Sequence, residues 1–171
     1  MILSNVDIRR KISTKEIEIT PLDQEQIGPA SIDLTLSNEW YCFKKSFHGK
    51  TVDLAKVGFK IAFEKKKAES IILKPGQMCL GKTVEKIRLP RHIMGSLEGR
   101  SRYARMGLII HTTSALIQPG SNNHQVLEIV NLAPFPIKLH AGMRVSQVVL
   151  ELVETPTTKP YARFGKIAKN Q

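Results

Sequence analysis

Cysteine is nearly missing from this 171-residue chain: Cys42 and Cys79 stand far apart, with no CxxC spacing. That argues against a disulfide framework and for a reducing, cytoplasmic setting. Metal-ligand spacing is missing as well. His48, His92, His111, His124 and His140 are scattered, so the HxE…PCxxC zinc signature of one deaminase class cannot be assembled, and no zinc is expected. No apolar run approaches the length of a membrane span. The opening Met1–Asp7 becomes charged too early for a signal peptide. Walker, GxGxxG and GxSxG motifs are absent, and so are internal repeats. Aromatics make up only 6% of residues and do not pair along a strand. A β-barrel that stacks nucleic-acid bases is therefore disfavoured.

Negative charge is scarce. Fifteen Asp and Glu face 26 Lys and Arg, for a formal net charge of +11 and a pI near 9.8. Such a surplus attracts nucleic acid, an acidic membrane surface or a small polyanion such as a nucleoside triphosphate, although much of it can be solvated lysine. The run Lys65-Lys66-Lys67, flanked by Glu64 and Glu69, reads as a wet connection rather than a binding site. What remains is ordinary: 42% hydrophobic residues in a length suited to one domain with a proper core.

The first twelve residues read as a short helix, with Ser4 as N-cap and Asp7 three residues on. Short apolar runs between turn residues follow. Candidate strands are 16–20, 31–37, 70–73, 78–84, 107–112, 126–131, 137–140 and 145–153, separated by prolines and glycines. With no long helices between them, they predict an all-β sandwich or barrel with a few short helices. The stretch 43–69 reads as an excursion between strands. Residues 1–154 form the expected β domain, and 155–171 a basic tail that opens like a linker.

Two segments carry chemistry. Gly99-Arg100-Ser101-Arg102-Tyr103-Ala104-Arg105-Met106-Gly107 brackets about two turns of helix between glycines. With Ser101 as cap and Arg105 on the same face, hydroxyl, free amides and guanidinium groups make a phosphate cradle. The plainer reading is a basic surface helix. In Val126-Leu127-Glu128-Ile129-Val130 a lone carboxylate interrupts an aliphatic strand. Alternation puts Glu128 on one face with Val126 and Val130. On a buried face it needs a partner or a reaction to serve, and such a glutamate suits a general acid/base. On an edge strand it simply faces water.

In this order and spacing, the motifs resemble those of the dCTP deaminases, which share a fold with the trimeric dUTP diphosphatases. The similarity rests on MILSNVDIRRKI, Gly28-Pro29-Ala30-Ser31-Ile32-Asp33-Leu34, the GRSRYARMGL stretch, Ile117-Gln118-Pro119-Gly120, Val126-Leu127-Glu128 with Asn131, and Gly142-Met143-Arg144 with Gln147. The resemblance implies a dUTPase-like distorted jelly-roll and a homotrimer with active sites shared between subunits. It implies that Arg100, Ser101, Arg102, Tyr103, Ala104 and Arg105 hold a triphosphate accompanied by Mg²⁺, with Ser101 and Arg105 also near the reacting base. Val126 and Leu127 would offer backbone groups to the pyrimidine. Glu128 would activate a water for attack at C4 and protonate the departing ammonia. The tail would close over the nucleotide through Tyr161, Lys166 and Gln171, the last two about one residue further apart than in the usual pattern.

One residue departs from the pattern. The family commonly has aspartate where this chain has Gln118, near the sugar, and in the diphosphatase branch that aspartate prepares the water attacking phosphorus. An amide can bond a 3′-hydroxyl but cannot act as a base. The sequence therefore predicts deamination of dCTP to dUTP and ammonia. Its rivals are a diphosphatase, alone or coupled to deamination, and a non-catalytic nucleotide-binding homologue. Neither a membrane nor a nucleic acid is expected as a partner.

Overall fold

The structure, a computed structural model, describes residues 1–110 and 113–164. The described residues form α1 (Asn5–Ser13), β1 (Glu18–Thr20), β2 (Ile32–Phe43), α2 (Phe59–Ala62), β3 (Phe63–Lys67), β4 (Ser70–Leu73), β5 (Met78–Arg88), β6 (Ile93–Gly99), α3 (Ser101–Ala104), β7 (Leu108–Ile110), β8 (Leu116–Ile117), β9 (Asn122–Asn131), β10 (Ile137–His140), β11 (Arg144–Leu152) and α4 (Tyr161–Phe164). The expected β class with few short helices is what they show. A curled antiparallel sheet runs β7-β9-β5-β2-β11-β6-β8, with β1 beside β5 and β3 beside β2, and β10 pairs with β4 apart from it.

Helix α1 starts as its first residues dictate. Asp7 N–H donates to the Ser4 hydroxyl and the Asp7 carboxylate returns to the Ser4 backbone, a reciprocal capping box. Ile8, fully buried, ties the helix to a core whose largest member is Trp40. Along β9 burial alternates: Gln125, Leu127, Ile129 and Asn131 point inward, while Val126, Glu128 and Val130 are half-buried on the other face. Among the described residues no helix is long and apolar enough to cross a membrane.

Strands β2, β5 and β9 run further than the predicted 31–37, 78–84 and 126–131, and three strands escape the sequence reading. Strand β6 is absent from it because Gly95 and Gly99 break its pattern. Gly95 is there for space: a Cβ would come within 2.9 Å of Val148 in β11. Two-residue β8 gives too little pattern to read. The supposed connection at Lys65–Lys67 is instead the end of β3, paired with Glu39–Phe43 of β2. The cysteines, remote in sequence, are register partners on β2 and β5. Both are free thiols, and burial pushes both above the ordinary range.

Strand β5 carries the most buried carboxylate. A register shift against β9 loops out Thr83–Glu85 of β5, and a shift between β5 and β2 loops out β2 residues between Leu36 and Trp40. Glu85, 1% exposed, accepts from Gln26 Nε2 at 2.7 Å and from Thr35 N–H at 2.9 Å. The Thr83 hydroxyl donates to the Glu85 carbonyl and accepts from Gln125 N–H. This closed set satisfies the bulge of β5 against β9.

Candidate active site

A cavity of about 1090 Å³ opens on the outer face of the sheet. One end is bordered by Thr113, Gln118, Ser121, His124, Val126, Glu128 and Tyr161. Glu128 stands here on β9, which lies between β7 and β5. Among the described residues β7 pairs only from Ile129 onward, so Glu128 has a strand neighbour on the β5 side alone, and its face is neither sealed nor fully wet. Thr113 anchors its carboxylate: the backbone N–H donates to Oε2 at 3.1 Å, and the hydroxyl lies 2.9 Å from Oε2 and 3.1 Å from Oε1. A carboxylate fixed by two donors at the border of a cavity has the placement that general acid/base chemistry requires.

Val126 pairs with Lys82 and Leu127 with Gly81 of β5, while β7 pairs only with Ile129–Asn131. Among the described residues no strand covers the opposite backbone edge of Val126 and Leu127. The Leu127 side chain is fully buried, so backbone groups are what this residue can offer. His124 turns Nδ1 to the Thr83 carbonyl at 3.2 Å, which makes Nδ1–H the donor. Tyr161 reaches the cavity because α4 docks on the turn at Pro119–Gly120, with N–H groups of Tyr161 and Ala162 donating to the carbonyls of Pro119 and Gly120 at 3.0 and 3.1 Å. Gly120 has φ of +78°, and a side chain there would collide with Pro160. Lys166 and Gln171 lie outside the described residues.

The basic segment lies elsewhere. Arg100, Ser101 and Arg102 border a second hollow of about 380 Å³ with Glu25, Ser31, Asp33 and Gln147. No residue lines both cavities. Helix α3 is only four residues long, and Arg100 rather than Ser101 holds the N-cap position, with no side-chain cap. Ser101 is the first helical residue, and its carbonyl accepts from Arg105 N–H at 3.1 Å. The two expected turns shrink to one because the chain leaves the helix for β7 through Gly107, at φ of +81°. Arg100 pairs with Asp33 at 3.0 Å and donates to the Arg144 carbonyl at 3.1 Å. Burial raises the Asp33 pKa, and the nearby Arg100 and Arg144 oppose that rise. The Ser31 hydroxyl donates to Gln147 Oε1 at 2.8 Å, bracing the hollow. Arg102, Ala104 and Arg105 are exposed, whereas Tyr103 packs against the core. Within one chain, then, the structure groups Glu128, Gln118, Val126 and Tyr161 and does not bring Arg100–Arg105 to them.

Thr113 is the residue that sequence reasoning missed. A threonine in a loop has no pattern of its own, and the contact to Glu128 spans a turn of the chain.

A dCTP deaminase-like family model matches residues 2–153. A dCTP deaminase, dUMP-forming, of Parafrankia sp. (strain EAN1pec) is 37% identical over 164 residues, covering 94% of this chain and 81% of that protein. The protein of the same name from Streptomyces coelicolor is 35% identical, covering 100% of this chain and 91% of its own length. Among solved structures, the 2'-deoxycytidine 5'-triphosphate deaminase of Agrobacterium tumefaciens aligns with a TM-score of 0.68 and 23% identity over 89% of this chain. This chain spans about half, 48%, of that one. A mutant dUTPase of phage phi11 of S. aureus aligns with a TM-score of 0.52 and 16% identity, covering 84% of this chain and 94% of its own. These two structural likenesses show the fold. The names of the sequence relatives end at dUMP, where the family resemblance, with Gln118 in place of the usual aspartate, implied dUTP.

Proposed function

The chain belongs to the dCTP deaminase-like family, and from that premise we propose that it removes the 4-amino group of dCTP by hydrolysis, with Glu128 as the proton carrier. The observation that carries this reading is Glu128 itself, fixed by Thr113 at the end of a cavity large enough for a nucleotide. Glu128 takes a proton from a water as its oxygen bonds to C4 and the C4=N3 π pair moves to N3, which receives that proton from the carboxylic acid. The carboxylate then carries the new hydroxyl's proton to the amino nitrogen, C4=O forms as the C4–N bond breaks, and ammonia leaves from a uracil nucleotide. The open backbone edge of Val126 and Leu127 supports pyrimidine recognition, and Tyr161 supports closure by the 155–171 tail over the 1–154 domain.

The separation of the Arg100–Arg105 segment from Glu128 supports a shared site. A copy of this chain would bring its Arg100, Ser101, Arg102 and Arg105 to the triphosphate of a nucleotide whose base sits at Glu128, in a homotrimer. Two carboxylates border the Arg100–Ser101 hollow, Glu25 and an Asp33 already paired with Arg100. Mg²⁺ would rest mainly on the phosphate oxygens there, with Glu25 beside it, and would screen phosphate charge.

Product identity divides two readings. The relatives' names favour onward hydrolysis of dUTP to dUMP and pyrophosphate. Gln118, which lines the Glu128 end of the cavity, favours release of dUTP, because an amide cannot draw a proton from the water that attacks phosphorus. We adopt dUMP as the product on the strength of the relatives. The test is to incubate the protein with dCTP and Mg²⁺ and resolve nucleotides and pyrophosphate over time. Equimolar dUMP and pyrophosphate support the first reading. Accumulating dUTP without pyrophosphate supports the second.

A further inference from the structure

The cavity does not end at the substrate. Across the sheet, Lys65 of β3, Tyr41 of β2, Leu80 of β5 and Glu128 of β9 are successive register partners. They form one transverse row on the cavity face, with Lys65 three strand spacings from Glu128, about 14 Å. The far end of the row is chemically unlike the near one. Tyr41, Phe59 and Phe63 line it, with ring centroids 5.8 Å apart for Tyr41–Phe59 and 5.5 Å for Phe59–Phe63. Phe59, nearly half-exposed, presents an open face.

Lys60 and Lys65 line the same cavity, and Lys82, the register partner of Val126, stands on β5 between that end and Glu128. Glu39 stands among Lys65, Lys82 and Lys67, at 3.0 Å, 3.5 Å and 3.9 Å. Three ammonium groups around one carboxylate leave a local positive surplus, and the Lys65 ammonium also lies 6.0 Å above the Tyr41 ring. The volume sits at the upper limit of cavities that hold one small ligand, about 300–1,000 Å³, so there is room beyond a substrate base at Glu128.

We propose that this end is a second binding site, for a nucleoside polyphosphate whose base stacks on Phe59 and Tyr41 and whose phosphates rest on Lys60, Lys65 and Lys82. Flat aromatic faces beside clustered ammonium groups match a ligand that is planar at one end and polyanionic at the other. A simple phosphate leaves the rings without a role, and an apolar ligand leaves the lysines without one. The inference goes beyond the deaminase reading, and its test does not depend on turnover.

The probe is dATP, whose purine is not the pyrimidine expected at Glu128. Equilibrium dialysis of the wild-type protein should find one dATP per chain. The Glu128→Gln protein saturated with dCTP should bind the same amount. Combining Phe59→Ala with Lys65→Ala should weaken dATP binding about tenfold or more, while the deamination rate and KM for dCTP stay within about threefold. The proposal is overturned if dCTP displaces dATP one for one, or if the double variant binds dATP normally. It is also overturned if the double variant raises the KM for dCTP in step, since the lysines then serve the substrate's own phosphates. Tighter binding of oligodeoxythymidine than of dATP, lost in the double variant, would overturn it in favour of a nucleic-acid strand. Absence of deamination in a protein that still binds dATP would remove the function proposed above and leave this site standing.

Discussion

Glu85 and Glu128 sit on neighbouring strands and are opposites. Glu85 points into the core, is sealed from water, and is satisfied by Gln26 and the Thr35 backbone. Glu128 points out of the same two-strand ladder, is half-buried, and is held from the Thr113 side with a hollow in front of it. A buried carboxylate whose acceptors are filled specifies a backbone irregularity. One that is fixed in place and faces an open cavity is available for chemistry. Burial by itself would have selected the wrong glutamate.

The largest expected effect separates the two directly. Glu128→Gln should lower deamination by about 10²-fold or more and keep dCTP affinity within about tenfold, because the amide keeps shape and loses basicity. Its denaturation midpoint should stay near wild type. Glu85→Ala should do the reverse. It leaves two buried donors unpaired, each worth about 1–3 kcal/mol, so a stability loss of about 3 kcal/mol in urea titration is expected, with the rate per folded molecule retained. If Glu85→Ala kills turnover without loss of stability, the contrast is wrong.

Thr113→Val sharpens the account of Glu128. It keeps the backbone donor and removes the hydroxyl, so kcat should fall about tenfold with little change in KM. A rise in KM alone would place Thr113 in binding instead. Gln118→Asp should leave deamination within about tenfold while testing the phosphorus step, since the new carboxylate supplies the base that an amide lacks. Pyrophosphate release unchanged from wild type would mean that Gln118 is not at that step.

The smallest effect is on acid stability. Hydrogen bonds from Lys65 to Glu39 and from Lys11 to Glu16 pull both carboxyls below the ordinary glutamate range. A lowered folded pKa stabilises above the unfolded value of about 4.3 and is lost as pH falls through the folded one. Glu39→Gln or Glu16→Gln should therefore flatten the acid-side decline by about 0.5 kcal/mol each. Asp33, raised by burial, has the opposite sign: its contribution is present in acid and lost as pH rises through its folded pKa. Asp33→Asn should steepen the acid-side decline.

Much of this architecture is legible in the residues themselves. The Ser4–Asp7 cap and the alternation of β9 are local, and local patterns survive folding intact. Glu128 stands out because an aliphatic strand has no other reason to carry it. What escapes is non-local. Strand β6 is hidden by a glycine that exists to admit Val148, and β3 by lysines whose neutralising Glu39 lies on another strand. Glu85 looks like one more charge in a mixed strand until the bulge of β5 against β9 and the Gln26 and Thr35 donors close over it. The basic segment is legible as a motif, but its distance from Glu128 within one chain belongs to topology, which spacing does not reveal.

The most direct test of the central claim is the stoichiometry of ammonia against converted cytosine when dCTP is given to the wild-type protein and to Glu128→Gln. Wild type should release one ammonia per uracil nucleotide formed, and the variant almost none, although it binds dCTP. A wild-type protein that binds dCTP and leaves the cytosine intact, or a variant that releases ammonia at the wild-type rate, would contradict it.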